Sequence, residues 1–178
     1  MSVVVRQTSE TKVRVEVARG SGEADISTGH PFFDHMLRTL ARYSGLDLRV
    51  EASGDLTHHL MEDVAISVGA AVRQIIPATA ARYGDRVVPM DGALVHAAVD
   101  VGGRFYYRGR LPNRLYEHWM RSFADNARAT VHIRVLRKGY RHHVIEAAFK
   151  AVGLALREAL VESGAVFSTK GAVSLEVK

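Results

Sequence analysis

Two copies of one five-residue phrase carry the chemistry of this chain: His58-His59-Leu60-Met61-Glu62 and His142-His143-Val144-Ile145-Glu146, offset by 84 residues. Imidazole and carboxylate together suit first-row transition ions. An acid–histidine pair precedes each phrase. Asp34-His35 places His35 23 residues before His58, and Glu117-His118 places His118 24 residues before His142. Beyond the phrases, Val68/Val152, Gly69/Gly153, Ala71/Ala155 and Arg73/Arg157 are identical at the same offset. Such self-similarity implies an internally duplicated domain, each half bringing one acid–His element and one His-His-x-x-Glu element.

On a helix, residues i and i+3 share a face, while neighbours point about 100° apart. The spacing predicts His59 with Glu62 on one ion and His143 with Glu146 on another. His58 and His142 are then directed elsewhere, toward a second metal or another chain. The donor set is His35, His58, His59, Glu62, His118, His142, His143 and Glu146. Divided between two ions, it supplies three His and one Glu to each and leaves octahedral positions open for substrate or water. Mn²⁺, Fe²⁺, Co²⁺ and Zn²⁺ all suit these donors. His132 and His96 lie in alternating strands and His30 precedes Pro31; these read as structural.

The elements that must hold these residues are legible in outline. Lys12–Val17 and Thr130–Val135 alternate apolar and polar, as half-buried strands do, and Leu46–Ala52, Ala93–Val99 and Ala172–Val177 also read as strands. Helices are predicted at about Phe32–Tyr43, His59–Ile76, His118–Ala127 and His142–Ser163, the last stopped by Gly164. Strands precede helices in each half. The expectation is an α/β (α+β) two-layer fold in a single domain, with pseudo-twofold halves of about 1–90 and 91–178.

A 47% hydrophobic fraction supports a real core, and no apolar run approaches the length of a membrane span. Met1 to Arg6 lacks the pattern of a secretory signal, so a soluble cytoplasmic protein is expected. With no cysteine, disulfides and thiolate ligands are excluded. The net charge is +5, with a pI of about 9.7. Its Lys and Arg residues are scattered, which favours a small anionic ligand over nucleic acid.

Further motifs join these in a familiar order. They are Arg6-Gln7-Thr8-Ser9-Glu10-Thr11, Phe33-Asp34-His35-Met36-Leu37, Gly54-Asp55-Leu56, the first phrase with Asp63, and Arg82-Tyr83-Gly84. Pro89-Met90-Asp91, Asp100 through Gly103-Arg104, Glu117-His118, the second phrase running to Phe149-Lys150-Ala151, and Ser168-Thr169-Lys170-Gly171 complete the series. Together they cover nearly the whole chain, which resembles the imidazoleglycerol-phosphate dehydratase family of histidine biosynthesis.

The resemblance implies a dimanganese hydro-lyase that converts imidazole glycerol phosphate to imidazole acetol phosphate by way of a metal-stabilised imidazolate. It implies two Mn²⁺ per site on the eight donors, and a 24-mer with sites between subunits. It also implies two sheets packed with two helical layers, the ribosomal-protein-S5-domain-2-like arrangement. Glu10 and Glu146 match acid–base positions, and Lys150 matches an active-site lysine. Arg82, Arg104, Ser168 and Lys170 match phosphate-binding positions. Taken alone, Glu10 would read as a turn carboxylate, and Arg82 and Arg104 as surface cations.

The chain departs from the family's usual pattern in four places: the short connection through Thr57, Leu60, Gly92, and Gly139-Tyr140-Arg141. These touch loops around the site and remove no donor. The competing readings are a two-metal phosphoester hydrolase, which favours bridging carboxylates over His, and a non-catalytic metal-binding assembly.

Overall fold

The computed structural model describes residues 1–166. The predicted strand Ala172–Val177, together with Ser168 and Lys170, lies outside them. Each half follows the same path. The first runs β1 (Ser2–Gln7), β2 (Thr11–Arg19), β3 (Ala24–Ser27), α1 (Pro31–Ser44), β4 (Leu46–Gly54) and α2 (Thr57–Ile75). The second runs β5 (Tyr83–Met90), β6 (Ala93–Asp100), β7 (Tyr106–Gly109), α3 (Arg114–Asn126), β8 (Thr130–Arg137) and α4 (Arg141–Ala159). The two sheets have equivalent orders, β1-β2-β4-β3 and β5-β6-β8-β7, with only the last pair of each parallel.

Strand alternation decides which face of each sheet is covered. Val13, Val15 and Val17 of β2 point inward while Arg14 and Glu16 point out, and β6 repeats this with Val95, Ala97 and Val99. α2 covers the first sheet and α4 the second. The helices also pair across the halves, α1 with α4 and α2 with α3, so the order of layers is sheet, helices, helices, sheet. Trp119, Phe33, Phe123 and Phe149 are fully buried between the helical layers, with Trp119 stacked on Phe123 at 5.4 Å between centroids.

The repeated glycines Gly69 and Gly153 mark the two equivalent helix crossings. A Cβ at Gly69 would stand 2.5 Å from the Phe123 carbonyl oxygen on α3, and one at Gly153 would stand 2.9 Å from Tyr43 Cβ on α1. Only a residue without a side chain lets these backbones come so close.

Several boundaries differ from the sequence reading. β5 begins at Tyr83, so the second sheet starts ahead of residue 90; Gly84 and Pro89 inside β5 disguise it as a loop. β1, β3 and β7 were not expected. β1 is an edge strand opening on a run of valines that does not alternate, and the other two are four-residue edge strands. α4 ends at Ala159, short of Ser163, with Leu160 as its C-cap and Gly164 beyond it. α3 starts earlier than predicted because the Asn113 side chain caps it, accepting from the Leu115 N–H at 2.9 Å.

Candidate metal centre

The pairing of helices across the halves brings the donors together in an unexpected combination. His58 and Glu62 of α2 meet His118 of α3, their ligand atoms all within 4.8 Å of one another. The His118 Nε2 to Glu62 Oε1 distance is 3.2 Å, and the His58 and His118 rings stack at 5.2 Å. In the pseudo-symmetric place, His35 of α1 approaches Glu146 of α4, Nε2 to Oε2 at 3.3 Å. Each cluster therefore joins a phrase from one half to the upstream histidine of the other.

The i,i+3 expectation is corrected here. His58, at i−4 from Glu62, shares its face; His59 is the residue turned away. Helical residues four apart are neighbours as fully as those three apart, and the position of α3 selects between them. His59 Nδ1 lies 3.1 Å from Asp55 Oδ1 and 3.4 Å from Glu10 Oε2. His143 Nδ1 lies 3.3 Å from Asp91 Oδ2, while the His142 ring sits edge-on to Phe32 of α1 at 6.3 Å. The hairpin turns β1–β2 and β5–β6 thus each set a carboxylate, Glu10 or Asp91, against the second imidazole of a phrase. Asp91 holds a φ of 46°, and a Cβ at Gly139 would stand 2.5 Å from the Ala93 nitrogen, so a close-packed loop fixes that turn.

His118 Nε2 is buried and without a hydrogen bond, although a Glu62 oxygen stands 3.2 Å away. A buried orphan of this kind is costly unless something else satisfies it. Its neighbours are a carboxylate and an imidazole, a donor set that suits a divalent ion of borderline or hard character.

Electrostatics distinguish the two clusters. Glu146 is buried; desolvation pushes its carboxyl up, but Lys150 (Nζ to Oε1 2.9 Å) and His35 outweigh that and hold it below the ordinary range. Lys150 is correspondingly raised, desolvation opposing and Glu146 prevailing, and it also stands 5.5 Å from the Tyr43 ring centroid. The Asp55 hydrogen bond raises the His59 imidazole above its usual value against some desolvation, with Glu10 adding to it.

Arg82 and Arg104 are not brought to these donors. Arg82 ends the connection from α2 to β5 and lies against the C-terminal end of α4, its N–H bonded to the Ala159 carbonyl. It therefore lies roughly 20 Å along that helix from Glu146 at 1.5 Å per residue. Its guanidinium forks onto Asp100 at 2.7 and 3.1 Å. Gly102 makes room for that side chain, since a Cβ there would lie 2.3 Å from Arg82 Nε. Arg104 is exposed.

Two features were missed in the sequence. Asp55 and Asp91 each meet a site histidine; the i,i+4 spacing of Asp55 to His59 is a usable signal, whereas Asp91 reaches His143 only through the fold. The second is an open cleft of about 960 Å³ beside the first cluster, lined by His58, His118, Arg108, Arg110, Arg114 and Arg121. Three of its arginines are spread along β7, its following loop and the start of α3, and only the fold gathers them.

A sequence model of the family described as imidazoleglycerol-phosphate dehydratase matches residues 28–156. The chain belongs to the imidazoleglycerol-phosphate dehydratase family. It is 46% identical to the imidazoleglycerol-phosphate dehydratase of Salinispora tropica, over 94% of this chain and 96% of that protein. With that of Salinibacter ruber it shares 44% identity over 97% and 95%. Its fold superposes on the crystal structure of the Pyrococcus furiosus dehydratase in complex with (S)-C348 with a TM-score of 0.86, at 38% identity over 96% of this chain and all of that one. For the Staphylococcus aureus dehydratase structure the TM-score is 0.83, at 34% identity over 91% and 99%. Both halves of the duplicated fold are thus family architecture.

Proposed function

We propose that the chain is the hydro-lyase that removes water from imidazole glycerol phosphate to give imidazole acetol phosphate in histidine biosynthesis, with two Mn²⁺ per site held between copies of the chain. Family membership supports the reaction. The observation that carries the site is the cross-half cluster of His58, Glu62 and His118 with its orphaned buried nitrogen. His35 and Glu146 form its counterpart, and the duplication assigns His142, the equivalent of His58, to the same ion.

The division of donors supports shared sites. Within one chain, His59 and His143 face away from the two clusters and toward turn carboxylates, and Arg82 and Arg104 stand at the far end of the same molecule. A complete constellation of two metals and a phosphate anchor needs another copy, consistent with assembly into a 24-mer.

The substrate's carbon-bound proton is barely acidic, and its hydroxyl is a poor leaving group. A divalent ion bound by these imidazoles and carboxylates supplies a Lewis acid and a template for the substrate's imidazole ring. Glu10, exposed on its turn beside His59, is placed to take or return a proton. Lys150 keeps Glu146 ionised as a ligand. Loss of the proton and of the hydroxyl as water leaves an enol, which tautomerises to the ketone. Arg82 and Arg104, with Ser168 and Lys170, hold the phosphate; the planar fork of Arg matches phosphate oxygens. The test is turnover of imidazole glycerol phosphate by metal-stripped protein with and without added Mn²⁺. Metal-dependent ketone formation without release of inorganic phosphate supports the reading, and metal-independent turnover refutes it.

A further inference from the structure

Asp63 follows the ligand Glu62 on α2, yet it faces the first sheet rather than the metal cluster. It is 8% exposed, among the few buried charged side chains. Its Oδ1 accepts from Arg6 Nε at 2.8 Å, and its Oδ2 accepts from the Thr11 hydroxyl. Thr11 is itself buried and opens β2, directly after Glu10.

The hydrogen bonds of this turn form a closed account. An ionised carboxylate can only accept, so the one hydroxyl proton of Thr11 goes to Asp63. The Thr8 and Thr11 hydroxyl oxygens are 3.1 Å apart, so Thr8 must donate to Thr11. That frees both lone pairs of the Thr8 oxygen, which accept the backbone N–H groups of Glu10 at 3.1 Å and Thr11 at 3.0 Å. The Thr8 N–H closes the turn on the Thr11 carbonyl at 3.0 Å, and the Asp55 N–H holds the Glu10 carbonyl at 3.1 Å. Each of these donors has one acceptor, and the direction of the relay is set by the charge on Asp63.

We propose that Asp63 is a positioning residue that orients Glu10 over His59 through Thr11 and Thr8. The proposal rests on the reading of Glu10 as the acid–base group. Asp63→Asn is nearly isosteric but reverses the relay. With the amide oxygen kept on Arg6, its NH₂ donates to Thr11, whose proton turns to Thr8. The Thr8 oxygen then has three donors for two lone pairs, and one backbone bond of the turn is lost.

The experiment measures kcat, KM, Mn²⁺ affinity and amide hydrogen exchange across residues 8–11 in the assembled holoenzyme. Asp63→Asn is expected to lower kcat about 10- to 100-fold, the scale of an ångström-sized misplacement of a reacting group. KM and Mn²⁺ affinity stay near the parent's. Exchange at Glu10 and Thr11 quickens in Asp63→Asn and Thr11→Val, whereas Thr11→Ser, which keeps the hydroxyl, restores both exchange and kcat. Adding Asp63→Asn to Glu10→Gln costs no more than Glu10→Gln alone, because both act through one group. Parental kcat in Asp63→Asn, or an additive loss in the double variant, overturns the proposal. Parental kcat in Glu10→Gln overturns the acid–base reading instead; the exchange data then decide whether Asp63 holds the turn, and unchanged exchange in Asp63→Asn refutes it.

Discussion

Gly69→Ala separates the packing of the helical layers from the ligand chemistry it supports. A Cβ at position 69 would stand 2.5 Å from the Phe123 carbonyl oxygen, 3.0 Å from the Ala127 nitrogen and 3.0 Å from Asn126 Cβ. The first contact falls 0.9 Å short of the 3.4 Å of ordinary contact, and the atom it meets is main chain, which cannot swing away. Overpacking of this kind costs about 1–3 kcal/mol, and a rigid neighbour places it near the top of that range. Replacing Gly by Ala in a helix returns about 1 kcal/mol. A net loss of about 2 kcal/mol follows. The strain is relieved by moving α3 away from α2, and α3 carries His118. Metal–ligand distances tolerate about 0.2 Å, so Mn²⁺ affinity should fall about 10- to 100-fold, the scale seen when ligand orientation is disturbed. At Gly153 a Cβ would meet Tyr43 Cβ at 2.9 Å, the Ser44 nitrogen at 3.1 Å and the Leu40 carbonyl oxygen at 3.2 Å, a milder clash than at Gly69. Gly153→Ala should therefore be destabilising but by less than Gly69→Ala, about 1 kcal/mol after the gain in helix propensity. The assay is denaturant unfolding at fixed protein concentration, paired with calorimetric Mn²⁺ titration. Parental stability and affinity in Gly69→Ala would refute the reasoning.

Three other outcomes follow from the same geometry. The arginines around the first cluster create a positive field that draws in an anionic substrate. kcat/KM should thus decline with rising ionic strength, and Arg110→Ser with Arg114→Ser should flatten that dependence, as steady-state kinetics in a salt series will show. Asp55 raises the His59 imidazole, so protons compete with metal at higher pH than for an ordinary histidine. Asp55→Asn should move the pH of half-maximal Mn²⁺ binding downward, measured by titration across pH. Asp47 accepts the backbone N–H groups of Ser21, Gly22 and Glu23, each at 3.0 Å, with the Glu23 bond the largest cause of its lowered pKa. Its folded pKa lies below its unfolded one, so its contribution to stability is present above the unfolded carboxyl pKa. That contribution is lost as pH falls through the folded value, and Asp47→Asn should unfold with a weaker acid dependence in thermal melts between pH 3 and 6.

What the sequence disclosed depended on how local the signal was. The duplicated phrases, the four helices and the alternating strands β2, β4, β6 and β8 were all readable, because periodicity and residue type are written in consecutive residues. The edge strands β3 and β7 were not, since four residues carry no period and their order comes from pairing with β4 and β8. The i,i+3 spacing led to His59 as the partner of Glu62, although the i,i+4 spacing fits His58 equally well; the crossing of α2 with α3 at Gly69 brings His118 to His58 and Glu62. The arginine cleft and the meeting of Asp91 with His143 likewise exist only after the second sheet has formed. Arg82 and Arg104 could be named from motif but not placed, and the structure puts them at the end of the molecule away from the donors of their own chain.

The central claim, that each working metal centre combines the cross-half cluster of one chain with the turn-facing histidines His59 and His143 of another, is tested most directly by complementation. His58→Ala damages the cross-half cluster, and His59→Ala with His143→Ala removes the turn-facing pair; each variant alone should be inactive. Co-expressed, they should form mixed assemblies that recover a measurable fraction of Mn²⁺-dependent ketone formation, because intact clusters of one meet intact turn-facing histidines of the other. Mixed assemblies that form and yet remain as inactive as either variant would contradict the account.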